Sequence, residues 1–223
     1  MTDQVVVSYS ELDAYRQCPL KHQLAYVQRW TRPAQPGGAP ARGSLWHAVM
    51  ETHYRALADR QTRERVYQRG LDAVIRPLID PFLSDGSGHR TEDQELIAWI
   101  YDGYVEAYDM DAQWLPLYVE EKFEVPLPDA FGRDSRYRLK LRVDLIVLDI
   151  QTNCVWIVDH KSGAALPTQM ALEIDDQFGL YQWAINRLAG SGQIDLGGRP
   201  IMGTIHNAAK TKQNVGDKPG GRG

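Results

Sequence analysis

Four apolar residues in a row, Val155-Trp156-Ile157-Val158, run directly into Asp159-His160-Lys161-Ser162-Gly163. A strand with one wet face alternates apolar and polar side chains. This one does not, so it is predicted to be covered on both faces, as at the centre of a mixed sheet. Side chains two apart on a strand share a face, so Asp159 and Lys161 project together from the end of that strand.

The surrounding pattern supplies the rest of an α/β chain. Leu117–Val125 and Tyr137–Leu148 are further Val-, Ile-, Leu- and Tyr-rich runs between turn-forming clusters, which predicts two more strands, and a last one is expected around Ile201–Ile205. A helix is expected from Thr168 to Leu188. The front half reads as helical. Ser8 and Glu11 have the spacing of a capping box, Pro19 restarts the helix, and Leu20, Leu24 and Val27 continue at helical spacing. Thr31–Pro40 reads as a loop. Leu45, Val49, Met50, Tyr54 and Leu57 fall on one stripe of a helix from Ala41 to about Arg60. Glu64–Leu83, broken near Pro77, and Glu92–Ala112 read as two more. The order is α, β, β, β, α, β in one domain, residues 1–209, with a helical part over 8–112 and a sheet core over 117–206. The Lys- and Gly-rich tail, 210–223, is predicted to be flexible.

Composition narrows the partners. The formal charge is −4 over 223 residues, so any nucleic-acid contact must be local. No apolar span approaches the ~20 residues of a membrane helix, and no leader is read at Met1; a cytoplasmic protein is expected. Cys18 and Cys154 form neither a disulfide framework nor a CxxC clip and read as isolated thiols. No G-x-x-x-x-G-K-[ST] loop is present, which argues against a phosphohydrolase acting on nucleotides.

Asp144 lies within Leu141-Arg142-Val143-Asp144-Leu145-Ile146-Val147-Leu148, a strand predicted to pair with that of Asp159. A carboxylate in such a strand is costly unless paired or metal-bound. A salt bridge to Arg142, Lys140 or Lys161 serves as well as a cation, and an Asp159–Lys161 pair on its own is more often structural than catalytic. His47 opens the second helix with Glu51 one turn beyond it, and reads either as a ligand or as a capped or core histidine. Gln177 and Tyr181 stand four apart on the later helix, which otherwise reads as an ordinary amphipathic one.

In order, Ser8-Tyr9-Ser10-Glu11-Leu12 leading to Tyr15 and Cys18-Pro19, Gly43 and His47, Asp144, Asp159-His160-Lys161-Ser162-Gly163, and Gln177 with Tyr181 resemble the motifs of the PD-(D/E)XK nuclease superfamily. The likeness is to its RecB-type exonucleases, with phage and CRISPR-associated relatives. Relatives often carry Gly three residues before the first acid, where this chain has Leu141. Some hold an iron–sulfur cluster on four cysteines. Cys18 stands where the first would be, but none follows Cys154, so no Fe–S cluster is expected.

The resemblance implies a restriction-endonuclease-like αβββαβ core with a mixed sheet and an N-terminal helical elaboration. It implies a Mg²⁺- or Mn²⁺-dependent DNA nuclease, an exonuclease of recombination, repair or phage DNA processing in a bacterial or phage-infected cell. Asp144, Asp159 and the His160 carbonyl would hold the ion, with His47 as a further ligand. Lys161 would orient the attacking water or stabilise the pentavalent phosphate, and Gln177 and Tyr181 would support the lysine or touch the DNA backbone. Glu120 or Glu121 is a candidate secondary acid, and either reads equally as a surface charge. Lys122, Arg133, Arg136, Arg138, Lys140 and Arg142 would form a positive track. Trp30 and Trp46 would stack on unpaired bases, or lie in the core. DNA ends are the implied partner, and a second copy of the chain or a recombination protein is a further candidate. A non-catalytic nucleic-acid-binding or assembly protein on the same fold is the competing reading.

Overall fold

The computed structural model describes residues 4–30, 38–85, 87–108 and 113–212. Among these residues five strands form one mixed sheet: β1 (Val5–Ser8), β2 (Trp114–Pro128), β3 (Asp134–Asp149), β4 (Cys154–Gly163) and β5 (Ile201–Lys210). The order is β1-β3-β4-β5, with β2 also paired to β3. β1 is parallel to β3, β3 antiparallel to β4, and β4 parallel to β5. The mixed sheet and the central place of β4 agree with what its unalternating apolar run dictates.

By its contacts the chain divides into two compact units, and β2 and β3 run through both. The first is drawn from 1–35, 121–143 and 176–195. Here β1 pairs with the start of β3, Val5 opposite Tyr137 through Ser8 opposite Lys140. Ser8 then caps α1 (Tyr9–Gln17), its Oγ accepting the Glu11 N–H at 3.2 Å. Cys18 caps the short α2 (Pro19–His22), with Pro19 at the first position, where a missing N–H costs nothing. Gln23–Val27 continues as a π-helical turn.

The second unit, drawn from 36–120, 144–175 and 196–223, holds the larger core. α3 (Ala39–Ala58) buries Trp46, Val49, Met50, His53, Tyr54 and Leu57 along one stripe. Ile75, Ile79 and Leu83, then Ile97, Tyr101 and Tyr104 of α7 (Glu92–Tyr108), join them with Leu145, Val147 and Val158 of the sheet. Between these helices lie α4 (Arg60–Arg69), α5 (Leu71–Val74) and α6 (Arg76–Leu83). The helix expected over Glu64–Leu83 with a break near Pro77 is therefore three. It breaks at Gly70, whose φ of +84° leaves the helical region, as well as before Pro77, which sits in the first turn of α6.

Two other expected boundaries move. The helix over Thr168–Leu188 divides into α8 (Gln169–Glu173), capped by Thr168, and α9 (Asp176–Gly190). Ala39 and Pro40, expected in a loop, begin α3, where proline is tolerated. Residues 31–37 of that loop, the end of the helix expected to reach Ala112, and 213–223 of the expected flexible tail lie outside the described residues.

Candidate active site

The antiparallel register of β3 and β4 pairs Leu145 with Val158. One residue beyond each, in opposite chain directions, come Asp144 and Asp159. The sheet thus sets the two acids across from one another, although 15 positions separate them in sequence. Alternation along β4 decides the faces. Val158 packs into the helical core and the His160 ring stacks on Tyr54 of α3, at 5.5 Å between centroids, while Asp159 and Lys161 alternate with them along the strand.

The Asp144 carboxylate accepts the His160 backbone N–H at 2.8 Å. Its Oδ2 lies 3.5 Å from Nδ1 of His47, about two turns into α3, and the same nitrogen lies 3.2 Å from Glu120 Oε1. Ligand atoms of His47, Glu120 and Asp144 all fall within 4.8 Å of one another. Asp159 is outside that trio. Lys161 Nζ donates to its Oδ1 at 2.8 Å, and its Oδ2 is buried 3.6 Å from Nδ1 of His206. His206 is the residue of β5 opposite Asp159, as Asn207 is opposite His160. Asn207 donates its amide to the His160 ring Nδ1 at 3.1 Å.

The electrostatics follow from burial and crowding. Burial, with Asp159 adding repulsion and His47 opposing, pushes the Asp144 carboxyl up to about 6. The hydrogen bond with Glu120 raises His47 above the usual imidazole range. Burial pushes the His160 imidazole down to about 3, so its ring is neutral. Three carboxylates around one imidazole and one ammonium leave an excess of negative charge, and one oxygen of Asp159 is buried without a hydrogen bond. That donor set of hard oxygens and one nitrogen fits a divalent cation.

Glu120 is brought in by its backbone. It has φ +51°, which costs a non-glycine residue of order 1 kcal/mol or more. Strand alternation breaks there: Val119 and Glu120 are both buried, Glu121 and Lys122 both exposed. Of the two adjacent glutamates, Glu120 therefore joins the site and Glu121 is a surface charge. His206, Asn207 and Tyr54 were not singled out in the sequence. Two polar residues following Ile205 in a half-buried strand were the available signal.

Other expected residues fall elsewhere. Trp46 is fully buried in the core, so it cannot stack on a base, while Trp30 is 70% exposed. Gln177 and Tyr181 stand on α9, in the first unit. In the expected positive track, all within the first unit, Arg133 pairs with Asp129 and Arg138 with Glu124, while Lys122, Lys140 and Arg142 are exposed. Glu51 pairs with Arg55. Cys18 and Cys154 are free thiols. No helix among the described residues is long and apolar enough to cross a membrane.

A helix-covered mixed sheet carrying acids and a lysine just beyond the paired stretch of a central antiparallel strand pair defines an α/β protein of the restriction-endonuclease-like class. A model of the PD-(D/E)XK nuclease superfamily matches residues 6–217, and the chain belongs to that superfamily. Membership points to metal-dependent hydrolysis of nucleic acid. No curated protein gives a significant match.

Proposed function

We propose that the chain is a Mg²⁺- or Mn²⁺-dependent deoxyribonuclease, acting as an exonuclease in recombination, repair or phage DNA processing. The observation that carries the reading is the register that sets Asp144 across from Asp159, with Lys161 beside Asp159 and His47 and Glu120 beside Asp144.

Asp144, Asp159, the His160 carbonyl and His47 would hold the ion, and Glu120 extends that set. A bound divalent ion supplies neutralisation of the charge that builds on the phosphate and acidifies a water for in-line attack. The imidazole favours Mn²⁺ over Mg²⁺, which takes all-oxygen shells. Lys161, with a side chain 44% exposed, presents its ammonium to the scissile phosphate while Asp159 fixes its direction. The His160 N–H holds the Asp144 carboxylate in place, and the buried Tyr54 and Asn207 hold His160 in turn. Gln177, Tyr181 and the basic residues of β2 and β3 are assigned to the DNA backbone.

The test is digestion of end-labelled linear and closed circular DNA, single- and double-stranded, with Mg²⁺, Mn²⁺ or EDTA, beside Lys161→Ala. Metal-dependent loss of linear DNA with circles spared is expected. Cut circles would make the protein an endonuclease. Folded protein that binds DNA and cuts none with either metal would overturn the enzymatic reading in favour of a non-catalytic module.

A further inference from the structure

A cleft of about 390 Å³ opens beside β5, walled by Tyr104, Tyr108, Trp114, Leu166, Leu172 and Asn207 among others. Its size falls within the range of small-ligand pockets, roughly 300–1,000 Å³. Among the described residues its walls carry no Lys, Arg, Asp or Glu, and His206 is their one imidazole. What it offers is rings. Tyr108 is 51% exposed and packs at 4.8 Å against Tyr104, itself held by a hydroxyl–hydroxyl hydrogen bond to Tyr54. Trp114 is half-buried on the same wall. Among the described residues β5 ends the strand order, and its residues from Ile205 to Ala208 line the cleft beside the aromatic surfaces. A flat, neutral, hydrogen-bonding ring is the ligand such walls select.

Two wall residues join the cleft to the acids. His206 has its ring 3.6 Å from the Asp159 carboxylate, and Asn207 holds the ring of His160. We propose that the cleft is a nucleobase subsite, seating an unpaired base of the strand whose adjoining phosphodiester lies at Asp144 and Asp159. This rests on the nuclease reading and adds a strand preference to it. A base within a duplex is stacked on both faces and paired at its edge, so only an unpaired nucleotide can enter. The enzyme therefore prefers single strands and frayed ends to fully paired DNA.

The experiment uses the full chain and fluorescence anisotropy of a labelled single-stranded oligonucleotide, the same backbone made entirely of abasic units, and a blunt duplex. All are measured at one salt concentration, in EDTA and again with Ca²⁺. Base–aromatic stacking predicts binding of the normal strand about fivefold to a hundredfold tighter than the abasic one. Leu166→Trp fills the cleft from its exposed rim, and Tyr108→Ala removes an exposed ring. Both residues are more than half exposed, and circular dichroism checks that the variants fold. Each variant should weaken the normal strand by at least about fivefold and leave the abasic strand unchanged. Equal binding of the two strands by the wild type, a preference that survives both variants, or no binding under either condition overturns the subsite. Cleavage of the same strands with Mn²⁺ is scored separately. Base preference without cutting supports the subsite and sinks the nuclease reading, whereas cutting without base preference sinks the subsite alone.

Discussion

Replacing Asp144 by Asn should make the metal-free protein more stable at pH 8. The side chain is 11% exposed, and burial pushes its carboxyl from 3.8 up to about 6. A group with a raised pKa favours folding fully at pH values below the unfolded value, and that contribution is lost as pH rises through the folded value. For Asp144 the window runs from about pH 4 to just above pH 6. At 1.36 kcal/mol per pH unit, keeping the carboxylate ionised in the fold costs roughly 3 kcal/mol above that window. Asn keeps an oxygen to accept the His160 N–H, so that contact survives. It forfeits the attraction to His47, which offsets part of the gain. The expected net effect is about 1–2 kcal/mol at pH 8 and none near pH 4. Urea unfolding in EDTA at several pH values measures it. In Mn²⁺ the order should reverse, because a ligand that binds only the folded state stabilises the wild type and not the variant. A variant no more stable than wild type at pH 8, or stabilised equally at pH 4 and pH 8, would refute the reasoning that burial of this charge opposes folding.

Lys161→Ala should lower the cleavage rate by about a hundredfold or more and also lower the urea midpoint, since it leaves the buried Asp159 carboxylate without its ammonium. Glu120→Gln should weaken Mn²⁺ binding in calorimetric titration by about tenfold to a hundredfold, whereas Glu121→Gln, at the surface, should stay within about twofold. Asn207→Leu leaves the buried Nδ1 of His160 without its donor and should cost about 1–3 kcal/mol in urea unfolding.

Local chemistry alone determined much of this protein. The unalternating run before Asp159 marked a strand wet on neither face, the stripe from Val49 to Leu57 marked the buried side of α3, and Ser8 with Glu11 marked a helix start. Each is a nearest-neighbour pattern, set by strand and helix periods or by one cap. Boundaries that depended on a single backbone angle were not visible: a glycine such as Gly70 can continue a helix or leave it, and the packing of neighbouring helices decides which. β1 was missed because four residues carry too short a period to read, and its partner at Tyr137–Lys140 lies more than a hundred positions away.

The site divides along the same line. That Asp159 and Lys161 follow a buried apolar run and that Asp144 interrupts an apolar strand was legible, because each is a polar break in such a pattern. Tertiary structure alone decided which glutamate joins them, since a left-handed turn at Glu120 inverts the alternation that would have assigned it. It alone decided that Trp46 is core, because a tryptophan beside His47 on a helix can face either way until the helix docks. And it alone brought His47, Glu120 and Asp144, separated by 73 and 24 positions, within one ion's reach. Sequence periodicity fixes the side on which a residue stands, whereas which sides meet is set by register and packing, which no local pattern encodes.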